Sequence, residues 1–258
     1  MRRFPAGLVA AAVVLVLGAC ADSPEVPVES GYGPNPTLPE PNPSVIPTIN
    51  IAPARGWPEG AMPSAASGLT VNVFAANFDH PRWLYVLPNG DVLVAETNAP
   101  PRPDDSKGIQ GWVMKRVMKR AGAAVPSANR ITLLRDADGD GSAEVRSVFL
   151  QGLNSPFGMA LVGNDLYIAN TDAVMRFPYE ADQTEITATG VKLVDLPAGS
   201  INHHWTKNVI ASADGSHLYV TVGSNSNVAE NGMENEERRA AILEVDIAAG
   251  EARVFASG

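Results

Sequence analysis

The sequence predicts an all-β fold built from repeated strand–turn–strand units, on three observations. Hairpins of one design recur along the chain: "PRWLYVLPNGDVLVAET", "PFGMALVGNDLYIANTDAVMRFPY" and "NVIASADGSHLYVTVGS". They turn at Pro88-Asn89-Gly90, around Asn164-Asp165 and around Asp214-Gly215, positions rich in turn chemistry. Each then returns along a strand of one type, "VLVAE", "LYIAN" or "LYVTV". Glycine (23) and proline (21) are plentiful and aromatics are modest at 6%, which suits a turn-rich fold better than a helix bundle. Repeats a few tens of residues apart in an all-β chain are blades of a β-propeller. By this count about three blades are present, an incomplete ring. A β-sandwich is the structural rival, but it leaves the recurring unit unexplained.

At the N-terminus, Arg2 and Arg3 precede "GLVAAAVVLVLGA", an apolar stretch too short to span a bilayer comfortably. It ends in "LGAC", and Cys20 is the single cysteine. That pattern resembles the bacterial lipobox, so residues 1–19 are expected to be a lipoprotein signal peptide and Cys20 the lipidation site. The chain is then exported, on the periplasmic or cell-surface side, lipid-anchored to a bacterial membrane. A lone cysteine excludes a disulfide framework.

Residues 20–64 are Pro-rich and lack hydrophobic periodicity, the composition of an extended tether. Residues 65–258 form the partial propeller, with "LTVNVFAANF" alternating like a strand ahead of the first hairpin. One segment breaks the β pattern. Within "KGIQGWVMKRVMKRAGAAVPSANR", Met114, Val117, Met118 and Ala121 recur at helical spacing, opposite Lys115, Arg116, Lys119 and Arg120. The expected inserted helix packs its Met and Val on the propeller and turns its charges to water. Docking on lipid or an acidic partner is the alternative. A net charge of −9 argues against nucleic acid as a partner.

Two constellations can carry chemistry. In "RDADGDGSAEV", Asp136, Asp138 and Asp140 alternate, Gly141 follows, and Glu144 can close a calcium site. The match departs from an EF-hand, since no Glu stands twelve residues on and no helices flank it; an acidic hairpin turn is the rival reading. In "INHHWTKN", His203, His204 and Trp205 stand just before a strand, and "GSNSNV" follows the next one. A neutral imidazole there can take a proton from an alcohol. Asn225 and Asn227 can hold a polar ligand, and Trp205 offers a flat apolar face; a packed strand end is the bland alternative. No phosphate loop, nucleophile elbow or zinc-type His/Cys cluster is visible.

"HPRWLYVLPNGDVLVAET", "ANRITLLRDADGDGSAEV", "LNSPFGMALVGNDLYIAN", "HHWTKNV" with "LYVTVGSNSNV", and "ERRAAILEVD" together resemble the exported glucose/sorbosone dehydrogenase family, closest to its sorbosone-dehydrogenase-like branch. The resemblance implies a six-bladed propeller using pyrroloquinoline quinone (PQQ) and calcium to oxidise an aldose or sorbosone, with electrons passed to a downstream acceptor. It implies His204 as general base toward the sugar C1 hydroxyl while hydride passes to the quinone. His203 stands where soluble glucose dehydrogenases carry an acid, and Asn154 lies near a cofactor-contacting position; His203, Asn154, Asn225 and Asn227 are the cofactor-side candidates. The family continues with an Arg-Asn-Pro motif and the main PQQ-calcium ligands, expected here beyond residue 258. The sequence thus reads as C-terminally truncated, an N-terminal portion inactive alone. Two other readings are a non-catalytic exported propeller that binds a glycan or protein, and a calcium-dependent lactonase-type propeller.

Overall fold

Each turn read from the sequence closes a hairpin. At the first, Gly90 N donates to Leu87 O and Leu87 N to Asp91 O, while the Asn89 amide bonds the Asp91 carboxylate. At the second, Val162 pairs with Asp165, leaving a two-residue loop. At the third, Ser212 N bonds His217 O, and the Asp214 carboxylate accepts from both flanking serines.

The structure is a computed structural model that describes residues 27–37, 51–101, 108–123 and 125–258. The predicted leader and Cys20 lie outside the described residues. The chain divides into two units, Met1–Ala52 and Pro53–Gly258. In the first, Val28–Gly31 forms a turn of 3-10 helix.

The second unit holds twelve strands in three four-stranded antiparallel sheets, each a meander in chain order. Blade 1 is β1 (Pro81–Val86), β2 (Val92–Glu96), β3 (Arg130–Arg135) and β4 (Val145–Leu150). Blade 2 is β5 (Met159–Val162), β6 (Asp165–Ala169), β7 (Ala173–Pro178) and β8 (Val191–Asp195). Blade 3 is β9 (Val209–Ala211), β10 (His217–Val222), β11 (Ala241–Asp246) and β12 (Glu251–Ser257). The one α-helix among the described residues, α1 (Gly108–Arg120), lies in the β2–β3 connection.

Period-two alternation explains how the blades stack. Along β6, Leu166 and Ile168 face blade 1, packing with Leu93, Ile131, Leu133 and Phe149. Tyr167 and Ala169 face blade 3, packing with Leu218, Val220, Leu243 and Val245. The middle blade is therefore apolar on both faces. Among the described residues no core cluster joins blade 3 to blade 1, so the sheets form an open arc, as the incomplete ring predicts. The outward face of blade 3 is partly polar, with Tyr219 donating to Glu244 and Arg253 paired with the same carboxylate.

Two buried acids brace blade 1. Asp91 accepts from both ends of the Arg135 guanidinium, and Glu96 from Arg130, Thr132 and Asp79 N. The Arg135 bond holds Asp91 below the ordinary carboxylate range despite burial. Burial pushes Glu96 up, but the bonds from Arg130 and Thr132 outweigh it and leave it low.

The stretch "LTVNVFAANF" corrects the sequence reading, since no strand forms between Leu69 and Phe78. It lacks a ladder partner and is held instead by the β3–β4 turn. Phe74 O accepts from Ala143 N, and Ala76 O and Asn77 O accept from Arg146. Leu69, Val71 and Val73 remain exposed. Alternation without a partner does not make a strand.

Candidate functional site

The first strand of each blade is its inner strand. Trp83–Tyr85, Met159–Leu161 and Asn208–Ala211 line one groove of about 270 Å³, and Leu161 N donates to the Tyr85 hydroxyl across it. The approaches to these strands meet at one end. Trp83 and Phe157 have ring centroids 5.2 Å apart, Phe157 and Trp205 meet edge-on at 6.4 Å, and the Arg82 guanidinium lies 5.7 Å from the Trp205 ring centre. An aromatic row with a cation therefore crosses the mouth of the groove.

His204 stands exposed beside this row. Its Nδ1 lies 3.0 Å from Ser224 O and 2.9 Å from Ser224 Oγ. A carbonyl can only accept, so the bond to it places the proton on Nδ1 and leaves Nε2 as the free base. Gly223 permits this approach, since a Cβ there would lie 2.5 Å from the His204 Cβ. His203 is turned differently. Its backbone N donates to Asn225 O, and its Nδ1 is 3.9 Å from Glu230, so it faces the β10–β11 loop.

Asn225 and Asn227 divide in the structure. Asn225 is buried, with its backbone N donating to Glu236; Asn227 is exposed. Asn154 lines a second hollow of about 340 Å³ at the same end, with Thr171, Asp172, Ser200 and Asn202. This hollow and the histidines are linked through Trp205, whose carbonyl accepts from Thr171 Oγ1.

Behind the hollow lies a polar network that sequence reasoning missed. Asn202 donates to Thr171 Oγ1 and accepts from Arg239, whose guanidinium also bonds Ala198 O. Lys207, of the "HHWTKN" motif, is 0% exposed and its Nζ has no hydrogen-bond partner. Burial, reinforced by the charge of nearby Arg239, lowers it to about 8. Two buried cations near a polar hollow make a positive pole. Glu236, the acid nearest Arg239 in effect, spends its carboxylate on Asn225 N and on Ser226 N and Oγ. No sequence signal distinguishes Lys207 from a solvated lysine, because its burial arises from packing.

The acidic cluster does come together. Ligand oxygens of Asp136, Asp138, Asp140 and Glu144 lie within 4.8 Å of one another. Their turn joins β3 to β4. Glu96 pairs with both Pro81 and Arg130, so β3 starts at the mouth and this turn lies at the opposite end. The cluster therefore cannot contribute ligands at the mouth.

Stacked four-stranded antiparallel blades define a propeller-type protein. The TrAA12-like family profile matches residues 124–257, just over half the sequence, and the chain belongs to that family. Two solved structures with TM-scores of 0.50 or above agree on the fold. An iodide structure of the Trichoderma reesei carbohydrate-active enzyme of family AA12 aligns with TM-score 0.51 at 15% identity, over 80% of this chain and 43% of that one. A calcium structure from the same organism and family gives 0.50 at 17%, over 72% and 40%. The holo PQQ domain of a pyranose dehydrogenase from Coprinopsis cinerea gives 0.48 at 18%, over 68% and 35%. The chain thus spans less than half the length of each of these three structures. No curated protein matches the sequence.

Proposed function

We propose that this chain is the N-terminal part of an exported, lipid-anchored, PQQ-dependent sugar dehydrogenase, with its site at the mouth of the inner strands. The observation that carries the reading is the unpartnered, buried Lys207 Nζ beside Arg239, next to an aromatic row and an available imidazole. A flat tricarboxylate suits that positive pole, with the exposed Trp83 ring to stack on, backed by Phe157 and buried Trp205. The positive field of buried Lys207 and Arg239 would draw an acidic edge into the hollow, with Asn154 and Asn202, which line it, as polar contacts.

When bound, PQQ would supply an ortho-quinone able to accept a hydride, that is, two electrons with one proton. The chain's own part is proton handling and orientation. His204 Nε2 takes the proton of the sugar C1 hydroxyl, Ser224 fixes the imidazole, and His203 stays with the β10–β11 loop. Three blades make a groove rather than a closed tunnel, so turnover is expected only where further blades enclose the quinone. The electrons leave to a downstream acceptor, and calcium at the Asp136 turn is structural.

The test is reconstitution with PQQ and Ca²⁺, reading quinone binding by tryptophan quenching and sugar oxidation by dye reduction. Saturable binding weakened by Lys207→Met supports the reading. Absence of binding by a fully folded chain favours the non-catalytic propeller instead.

A further inference from the structure

Helix α1 follows its sequence pattern only in part. Of the residues expected on the packed face, Val117 and Ala121 are half-buried, but Met118 is 42% exposed, and neighbouring Val113 is 46% exposed. Trp112 is 63% exposed, with the Arg116 guanidinium 5.8 Å from its ring centre. Lys115, Arg116, Lys119 and Arg120 all reach the surface, and the helix has no acidic residue. Four cations stand together on a chain whose net charge is −9, so without them the balance would be −13.

We propose that α1 docks the protein on an anionic lipid surface. A solvated helix gains nothing from an exposed Trp, Val and Met, whereas an interfacial helix places these groups at the headgroup–acyl boundary and its cations among phosphates. An acidic protein would answer the charges but would leave those apolar groups without a role. The sequence-based expectation of lipidation at Cys20 adds a physical reason. An acyl anchor binds reversibly until a second signal supports it, and a basic patch is such a signal. The helix sits in the β2–β3 connection, at the end that carries His204. Docking therefore brings the mouth toward the membrane, where a membrane-borne electron acceptor would be met. That use rests on the dehydrogenase reading; the docking itself does not.

The test is co-sedimentation of the chain lacking residues 1–20, so that neither leader nor acyl group contributes, with phosphatidylglycerol or phosphatidylcholine vesicles. Binding to phosphatidylglycerol alone is expected, falling with salt. Neutralising two cations in K119Q/R120Q should weaken it roughly thirtyfold. Brominated lipid should quench a fluorescence component that Trp112→Phe removes. Both variants should keep the circular dichroism and melting temperature of the parent, since the side chains are exposed. Equal binding to both lipids, binding unchanged in K119Q/R120Q, or no binding by the folded parent would each overturn the proposal. The last result would leave water or an acidic protein as the occupant. PQQ binding does not enter the readout, so failure here and failure of the dehydrogenase reading are separate results.

Discussion

A lysine sealed from water without a partner lowers the stability of the fold that buries it, and Lys207 is such a residue. Its folded value of about 8 lies below the ordinary 10.5, so the folded state sheds its proton first. Below about 8 the lysine is charged in both states and the full penalty applies. Between about 8 and 10.5 the unfolded state binds more protons, so stability rises with pH. Chemical denaturation of the cofactor-free chain at several pH values should show that rise. Lys207→Met should abolish it and stabilise the chain at pH 7 by about 2 kcal/mol. The same substitution should weaken PQQ binding, a divergence between stability and function that a merely structural lysine would not produce. His204 makes a different prediction, confined to catalysis. In an enclosed, PQQ-loaded enzyme, His204→Ala should lower kcat by about two to four orders of magnitude. Because this side chain is exposed, the melting temperature should stay nearly unchanged.

Elements bring these residues together through backbone contacts. Gly158 N donates to Lys207 O, so the approach to β5 is tied to the approach to β9. A Cβ on Gly158 would collide with Val209 N and lie 2.7 Å from Asn208 Cα, both backbone atoms that cannot swing aside. Gly158→Ala should therefore destabilise the chain by about 2 kcal/mol or more and disturb the mouth, as read by thermal melting and tryptophan fluorescence. At the far end, the Asp136 turn carries its own prediction. Its carboxylates already bond Gly139 N, Asp140 N, Gly141 N and Ala137 N, so the turn is shaped before any metal arrives. Ca²⁺ should raise the melting temperature by a few degrees, chelator should reverse this, and D138N/D140N should remove the response. No change with Ca²⁺ would make the turn a purely backbone-bonded one. Blade 1 adds an acid limit. Its depressed Asp91 and Glu96 contribute stability above the ordinary carboxylate values of 3.8 and 4.5, lost as pH falls through their lower folded values.

At the scale of the molecule, the blades were readable because hairpin turns and period-two strands are local signals. Asn89-Gly90 and Asp214-Gly215 announce their turns, and "LYIAN" announces a strand, which the structure buries on both faces. "LTVNVFAANF" misled for the converse reason: alternation is local, but pairing needs a partner that the sequence does not name. His204 and Trp205 stand out in the sequence by their place just before a strand, and Asn154 only by the family resemblance. The supporting network was not, because Thr171, Asn202 and Arg239 meet only when three loops converge, and no spacing in the sequence encodes that meeting.

The central claim is that this end of the inner strands receives a flat, anionic quinone, and the most direct test is a PQQ titration followed by tryptophan fluorescence. The parent chain should show saturable quenching. Lys207→Met should weaken the affinity roughly tenfold, as loss of a buried cation near the anionic edge implies. Raising the pH past about 8, where Lys207 loses its charge, should weaken the parent in the same direction. Quenching that never saturates, or an affinity indifferent to both Lys207 and pH, would contradict the account.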